Sequence, residues 1–290
     1  MATCATAPRL DEDGPLLLAD LASAGVEAVV GVWDDPAVDW SALDGVLVRS
    51  TWDYPLRRNA FLAWADRCRW TANPSDVLAW NTDKHHLEDL QRAGVPTVPT
   101  VFVAPGAPLS VPTGWDGDLV VKPAVSGSAA DTGRFGGARD PGALALVADL
   151  HAGGRTAMAQ PYLGGIDREG ETSLVFLGGE YSHAVRREPL LRAGGVRGPV
   201  VVADVLGTVR PVAPTAGQRA VADAALDAVP GGGERLSYAR VDVIPGSDGP
   251  VLLELEVTDC FLFLAFAGPA ARRRLVDHVV RRAEDAVGRV

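Results

Sequence analysis

The chain has 290 residues, of which 47% are hydrophobic and 22% charged, so it can bury a sizeable core and is not a disordered protein. Its formal net charge of −10 argues against a protein that binds duplex nucleic acid, because such proteins need a cationic face. The three cysteines (Cys4, Cys68 and Cys260) are widely spaced, so they predict neither a disulfide framework nor a zinc site and favour a reducing compartment.

The start of the chain shows no basic segment followed by an apolar one, so we expect no signal peptide. The longest strongly apolar stretch, Phe261–Ala267, is too short to cross a bilayer. We therefore predict a cytoplasmic protein that acts neither on a membrane nor on nucleic acid. The sequence leaves a homodimer open.

The first part of the chain alternates between helix and strand signals. The pattern predicts a helix over Pro15–Ser23, strands over Val26–Trp33 and Gly45–Thr51, and an amphipathic helix over Arg57–Cys68. Such alternation is typical of a small parallel α/β layer. A turn at Asn73 and Pro74 follows, and we place the end of an N-terminal domain at residue 80.

The second part, residues 81–290, has a different texture. Asn81, Thr82 and Asp83 are expected to cap a helix over Lys84–Arg92. Short strands, two hairpins and three helices follow. We expect the strands at Thr100–Val103, Leu119–Lys122 and Thr156–Leu163, the hairpins at Thr172–Leu177 with Tyr181–Arg187 and at Ser237–Ile244 with Val251–Thr258, and the helices at Gly142–His151, Ala216–Val229 and Pro269–Val287. The predicted fold class is α/β followed by α+β.

Lysine is almost absent from this chain. Among 27 basic residues, only Lys84 and Lys122 are lysines. A compact ammonium group on a flexible stem is not interchangeable with a planar guanidinium group, so a lysine that persists in an arginine-rich sequence is a candidate for a specific role. The alternative is chance survival of two surface lysines.

The second hairpin carries a pattern of charges. Side chains alternate along a strand, so Arg240 and Asp242 share one face of the first arm, and Glu254 and Glu256 share one face of the second. The residues between them, Val241, Val243, Leu253, Leu255 and Val257, are expected to fill the core. Carboxylates crowded in this way suit Mg²⁺, whereas the alternative is a solvent-facing hairpin with ordinary polar alternation.

A lysine also ends the strand over residues 119–122. Lys122 is followed by a loop of small residues that includes Ser126, Gly127 and Ser128. Backbone N–H groups of such a loop can fold over an anion. The alternative is a flexible surface loop.

Taken together, these motifs resemble those of the ATP-grasp ligases over most of the chain. Met158–Leu163 is similar to the hinge of that family, Lys84 and Lys122 to its two nucleotide lysines, and the Arg240–Asp242 and Glu254–Glu256 segments to the magnesium segment of D-alanine ligases and bacterial glutathione synthetases. The resemblance implies an ATP-grasp fold with a Rossmann-like N-terminal pre-grasp domain at residues 1–80. It also implies an ATP-grasp domain at residues 81–290, with a lid at about residues 96–158.

Four segments resemble a subgroup that contains the O-ureidoserine cyclo-ligase of cycloserine biosynthesis. They are Trp33–Pro36, Arg49–Tyr54, Trp80–Lys84 and Tyr238–Asp242. The chain departs from the wider family at Glu256, where many members have asparagine, and at Gln160, where many have an acid. The loop after Thr258 also lacks the small-residue and proline pattern of dipeptide ligases.

The resemblance implies an enzyme that uses ATP and one or two Mg²⁺ ions to activate the carboxylate of a small amino-acid-derived substrate, and that releases ADP and phosphate. The implied catalytic residues are Lys122, Arg187 and Arg240. The implied nucleotide-binding residues are Lys84, Lys122, Ser126, Gly127, Ser128, Gln160, Tyr162, Leu163 and Glu171. The implied magnesium ligands are Asp242, Glu254 and Glu256, and the substrate-binding residues are Arg49, Ser50, Thr51, Asp53 and Asp259.

Several alternatives stay open. Glu171 is either a ribose contact or a solvated turn residue, His183 is a packed structural residue as readily as a site residue, and Trp52 and Tyr54 either wall the substrate or pack. At the level of the whole chain, ring closure within one substrate competes with amide formation between two. A nucleotide-binding module without activity is the alternative from another class.

Overall fold

The computed structural model describes residues 1–127, 129–191, 193–197 and 209–288. Its strands form three sheets. The described helices are α1 (Gly14–Ser23), α2 (Arg58–Ala65), α3 (Ser75–Asn81), α4 (His86–Arg92), α5 (Pro141–Ala152), α6 (Ile166–Glu169), α7 (Ala216–Asp227) and α8 (Pro269–Val287). The described strands are β1 (Ala2–Thr3), β2 (Gly31–Val32), β3 (Val48–Ser50), β4 (Val101–Val103), β5 (Leu119–Pro123), β6 (Thr132–Phe135), β7 (Ala157–Pro161), β8 (Glu171–Leu177), β9 (Glu180–Arg187), β10 (Val196–Arg197), β11 (Val209–Val212), β12 (Tyr238–Gly246) and β13 (Gly249–Glu256).

The first sheet is parallel, as the sequence predicts, with strand order β2-β1-β3. Its central strand, β1, is too short to show an alternating pattern and was not expected. Because β1 offers only two residues for pairing, the strands expected over Val26–Trp33 and Gly45–Thr51 shrink to β2 and β3. Aromatic side chains of Trp33, Phe61 and Trp64 pack beside this sheet, which fixes α2 against it.

The second sheet has the strand order β10-β6-β5-β7-β4, and its pairs are antiparallel. Helix α5 covers it with Ala143, Leu146 and Leu150 in the core, and the Asp140 side chain caps that helix by accepting from the Gly142 N–H at 2.8 Å. The sheet reaches residue 161 and includes residues 196–197, so it extends beyond the range expected for the lid.

The third sheet is antiparallel, with the order β11-β9-β8-β12-β13. Helix α7 packs on one face, over residues such as Leu174 and Val241, and α8 packs on the other, over Val175 and Leu177. The sequence predicts both hairpins and both helices of this unit, and the bounds of α8 are as expected. This sheet carries Glu171, Arg187, Arg240, Asp242, Glu254 and Glu256 of the predicted site.

The hairpin of β12 and β13 has the register that the charge pattern requires. Arg240 faces Glu256 and Asp242 faces Glu254. A bulge follows Asp242, so that the next paired position opposite Val243 is Leu252. The expectation that Leu253 lies in the core is therefore wrong: Leu252 is fully buried, while Leu253 lines the main cavity of the molecule.

Lys84 lies in a turn between α3 and α4, not at the start of a helix. The prediction that Asn81–Asp83 cap a helix from Lys84 is wrong, because Asn81 ends α3 and α4 begins at His86. The Asp83 side chain instead accepts from the backbone N–H of His85 at 3.1 Å, and the Lys84 N–H donates to the Ala124 carbonyl at 2.9 Å. These bonds hold Lys84 beside the end of β5.

Buried hydrogen bonds join the N-terminal part to the third sheet. The Asn73 amide donates to the carbonyls of Tyr238 and Val257, at 2.8 and 2.5 Å, and accepts from the Ser237 N–H at 2.8 Å. The Tyr238 hydroxyl donates to the Val48 carbonyl at 2.8 Å. A turn that the sequence suggests as a boundary is therefore a point of attachment.

Candidate functional site

The main cavity lies where the three sheets meet. Most residues predicted to form the site line it: Lys84, Lys122, Ser126, Gly127, Gln160, Tyr162, Leu163, Glu171, Arg187, Arg240, Asp242, Glu254, Glu256 and Asp259. Ser128 lies outside the described residues. The sequence therefore predicts the charged residues of this cavity and its hinge side, all of them between residues 84 and 259.

The face of the β12–β13 hairpin forms an ionic network at the floor of the cavity. The Arg240 guanidinium donates to Asp242 at 2.9 Å and lies 2.6 Å from a Glu256 oxygen. Arg187 lies 3.3 Å from Asp242 and also pairs with Glu171. Because each guanidinium group bridges two carboxylates, the network fixes the directions of all five side chains.

Lys84 connects this hairpin to the loop after β5. Its ammonium group lies 2.9 Å from Glu254 and donates to the Ser126 carbonyl at 3.0 Å. Burial works to raise the pKa of Glu254, but the charges of Lys84 and Lys122 outweigh it and lower that pKa to about 2. Burial lowers the pKa of Lys122, with the Glu254 charge opposing. Both lysines of the chain therefore act on the charge of Glu254, Lys84 by direct contact and Lys122 through its nearby positive charge.

Glu256 is in the opposite situation. Burial raises its pKa to about 7, Arg240 opposes the shift, and the charges of Glu254 and Asp242 add to it. Lys84, Lys122, Arg187 and Arg240 face four carboxylates here, so burial, and not an excess of negative charge, is the main cause of this shift.

As they stand, the described residues contain no group of three His, Cys, Asp or Glu side chains arranged to hold a metal ion. The chemistry of the set nevertheless fits Mg²⁺, since Asp242, Glu254 and Glu256 present carboxylate oxygens on one hairpin face. All three carboxylates are paired with Lys84, Arg187 or Arg240 and would have to exchange or share such a contact to hold the ion. These three residues stay predicted magnesium ligands.

The far end of the cavity is apolar and suits a flat ring. The Leu163, Ile244 and Leu253 side chains line it beside Gln160, whose amide donates to the Thr100 hydroxyl at 2.9 Å. The Tyr162 N–H donates to the Asp118 carbonyl at 2.8 Å, which anchors the segment after β7. The residues expected at the nucleotide hinge are therefore together on one wall.

Glu171 is not a solvated turn residue. It is 8% exposed, begins β8 and accepts from Arg187. Burial raises its pKa, and the Arg187 charge opposes the shift. His183, in contrast, points away from the site: its imidazole bonds the Leu262 carbonyl and the Ser182 hydroxyl, which makes it a packed structural residue.

Four of the predicted substrate-binding residues do not line the cavity. Arg49 is fully buried and pairs with Asp11 at 3.1 Å and Asp13 at 3.6 Å, so its guanidinium group serves the interior of the protein. The Ser50 hydroxyl accepts from the Asp11 N–H at 2.9 Å. The prediction that Arg49 and Ser50 contact a ligand is wrong, because the end of β3 is buried in the interior and does not reach the cavity.

Thr51 and Asp53 are placed differently from each other. The Thr51 hydroxyl donates to Asp259 at 2.9 Å, so Thr51 supports a cavity residue without lining the cavity itself. Asp53 accepts from the Trp33 indole at 2.9 Å and from Arg57 near the surface. The N-terminal residues that do line the cavity are Trp52 and Tyr54.

Similarity to known proteins identifies the family of this chain. Residues 1–74 match the family model described as the D-cycloserine synthetase DcsG, N-terminal domain. The cycloserine biosynthesis protein DcsG of Streptomyces lavendulae is 34% identical over 289 residues, which cover 94% of this chain and 95% of that protein. This chain belongs to the DcsG family of ATP-grasp ligases.

Solved structures place the ligase in the same superfamily. The crystal structure of D-cycloserine synthetase DcsG matches with a TM-score of 0.85 and 32% identity, covering 97% of this chain and 98% of that one. The D-alanine–D-alanine ligase of Bacillus anthracis complexed with ATP matches with a TM-score of 0.65 and 14% identity, covering 96% and 93%. The predicted ATP-grasp fold and the predicted class, an ADP-forming C–N ligase, are confirmed.

The described part of the ligase includes no helix that is both long and apolar enough to cross a membrane. Two contributions to its site were missed from the sequence. Asn81 clamps the end of β13, since its amide donates to the Leu255 carbonyl at 2.7 Å and accepts from the Val257 N–H at 3.0 Å. Phe261 lines the cavity beside Trp52. Neither role has a signal in a single sequence, because each depends on a contact between distant segments.

Proposed function

We propose that the ligase activates the carboxylate of a small amino-acid-derived substrate as an acyl phosphate and then closes a ring within that molecule, in cycloserine biosynthesis. The observation that carries the proposal is the meeting of Lys84, Lys122, Arg240 and the three hairpin carboxylates in one cavity. The similarity to a cycloserine synthetase over nearly the whole chain supports it.

The residues of this cavity suit phosphoryl transfer. A substrate carboxylate oxygen attacks the γ-phosphorus of ATP, and the bond from that phosphorus to ADP breaks. Lys84 and Lys122 bring positive charge to the phosphates, and Asp242, Glu254 and Glu256 would hold one or two Mg²⁺ ions. Bound Mg²⁺ would neutralise phosphate charge in this site. Positioning and charge neutralisation carry most of the rate in this chemistry.

Arg240 is placed for the second step. A nitrogen of the same substrate forms a bond to the acyl carbon, and phosphate leaves with the electrons of the carbon–oxygen bond. Arg240 is 4% exposed and held by Asp242 and Glu256, so its positive charge is fixed where negative charge develops on the acyl group. Arg187 would contact the γ-phosphoryl group from β9, which β8 separates from β12 in the sheet.

Two measurements test the proposal. Chromatography of the products should show ADP and inorganic phosphate; AMP and pyrophosphate would exclude the acyl phosphate. O-ureidoserine alone, with Mg-ATP, should support ADP release. A requirement for two separate amino acids would exclude ring closure and leave an amide ligase.

Two further predictions belong with this function. The chain is predicted to be cytoplasmic, and its three cysteines are free and buried, as suits a reducing compartment. A homodimer stays a prediction, which light scattering of the purified protein tests.

A further inference from the structure

The two ends of the cavity differ in charge. The region around the Asp242, Glu254 and Glu256 carboxylates contains the cations Lys84, Lys122, Arg187 and Arg240. The end formed by the N-terminal part contains the aromatic side chains of Trp52, Tyr54 and Phe261, together with the carboxylate of Asp259. The first end suits phosphates, while the second needs another explanation.

Asp259 differs from the other carboxylates of this cavity. Glu171, Asp242, Glu254 and Glu256 each lie within 4.0 Å of a lysine or arginine nitrogen. Asp259 has no such ion pair among the described residues; its Oδ2 accepts from Thr51, and its Oδ1 is buried without a hydrogen-bond partner among them. A buried carboxylate oxygen left without a donor is costly, so this position is short of a cation or a donor.

The surroundings of Asp259 favour a small organic cation. The rings of Trp52 and Phe261 have their centroids 5.9 Å apart, with an interplanar angle of 33°. Burial raises the pKa of the Tyr54 hydroxyl, and the nearby Asp259 carboxylate raises it further. Aromatic faces around a carboxylate attract ammonium groups by electrostatics as well as by contact. Burial also raises the pKa of Asp259 well above its usual range, with Thr51 opposing, and an ammonium group would reverse that shift.

Arg240 lies close to the segment that carries Asp259. Its guanidinium group donates to the Phe261 carbonyl at 3.3 Å, and Phe261 follows Asp259 by two residues. Both Arg240 and Asp259 line the same cavity. This proximity lets an α-amino acid whose carboxylate lies at Arg240 present its ammonium group toward Asp259.

We infer that Asp259 binds the ammonium group of the substrate and so selects α-amino acids over carboxylic acids that lack an amine. This inference rests on the proposed activation of a substrate carboxylate at Arg240. It assigns Thr51 as a positioning residue, which holds the Asp259 carboxylate at the wall of the cavity.

The test combines one variant with one change in the substrate. The probes are O-ureidoserine and its analogue in which hydrogen replaces the α-ammonium group. For the wild-type enzyme, removing the ammonium group should lower kcat/KM by roughly 10- to 100-fold, the range expected for a hydrogen bond to a charged group. Asp259→Asn should lose a similar factor with O-ureidoserine, and removing the ammonium group from its substrate should then change kcat/KM less than threefold.

Two controls separate recognition from structure. Asp259→Glu keeps the charge and should recover part of the lost kcat/KM. Asp44→Asn removes a carboxylate whose side chain is 79% exposed and should match the wild type with both compounds. The KM for ATP should stay unchanged in all three variants.

Two outcomes would overturn the inference. In the first, Asp259→Asn still prefers O-ureidoserine over the analogue by the wild-type ratio of kcat/KM. In the second, Asp259→Asn lowers kcat/KM by the same factor for both compounds, as replacement of a merely structural residue would. Calorimetric binding of both compounds with Mg²⁺ and AMPPNP gives the same comparison without turnover. If the wild type releases no ADP, the proposed function is contradicted, while the calorimetric comparison still tests the role of Asp259.

Discussion

Replacement of Arg49 by methionine tests whether this residue serves the interior or the ligand. Its guanidinium group is fully buried and neutralises Asp11 and Asp13, so Arg49→Met leaves two carboxylates inside the protein without their cation. Removing one partner of a buried ion pair costs about 3–5 kcal/mol. Burial already raises the pKa of Asp11, so proton uptake there limits the loss, and we expect about 3 kcal/mol. In a chain of this size that lowers Tm by roughly 5 °C.

The assay is urea unfolding at neutral pH together with steady-state kinetics. Adding Asp11→Asn to Arg49→Met should recover at least about 1 kcal/mol, because it removes one of the uncompensated charges. Arg69→Met is the matched control: Arg69 lies 3.9 Å from an exposed carboxylate, and its loss should cost less than about 0.5 kcal/mol. The KM values for ATP and the amino-acid substrate should not change in the folded fraction of Arg49→Met.

One result would refute this reasoning. If Arg49→Met unfolds at the wild-type urea concentration while its KM for the amino-acid substrate rises tenfold, then Arg49 acts on the substrate and the buried network is not its function. The prediction from the sequence that Arg49 binds the substrate would then hold.

Three further predictions concern catalysis, motion and pH. Lys122→Ala and Glu254→Gln should each lower kcat by about 10²–10³-fold with unchanged circular dichroism, and near-wild-type kinetics in a folded Glu254→Gln protein would show that the hairpin carboxylates are not used. Amide hydrogen exchange in residues 122–127 should slow when Mg²⁺ and a non-hydrolysable ATP analogue are added, as closure of a lid requires; unchanged exchange at saturation would argue against a lid. Burial lowers the pKa of His86 from its usual value of 6.5 to about 4. Between pH 6.5 and pH 4 the unfolded chain therefore binds a proton at this residue that the folded protein does not. The free energy of unfolding should fall by up to about 3 kcal/mol as the pH drops through this range. His86→Phe should flatten this part of the stability curve, and an unchanged slope would count against a buried neutral histidine.

The sequence predicts the hairpins well, together with the alternation of charged and apolar side chains along their strands. The register of Arg240 against Glu256 follows from a period of two residues and a short turn, both of which are local. The bulge after Asp242 is also local in space, but no residue type marks it, so the position of Leu253 was mistaken.

The N-terminal contribution to the site was harder to predict. Arg49 and Trp52 lie three residues apart, yet one is sealed in the interior and the other lines the cavity. Depth depends on what packs over a strand end, here the loop after β13, which lies some 200 residues away in the chain. A single sequence carries no signal for such a contact.

The attachment of Asn73 to the third sheet bears on how this family can diversify. The Asn73 amide bonds only backbone groups, and the Tyr238 hydroxyl likewise meets backbone carbonyls of Val48 and Thr258. At these two points each part of the protein recognises the path of the other part's main chain, which tolerates substitution of the neighbouring side chains. Elsewhere the two parts meet through side chains, as in the pairs Thr51–Asp259 and Asp20–Arg272. A graft of residues 1–74 from a distant relative therefore has to match those side-chain partners as well as Asn73 and Tyr238.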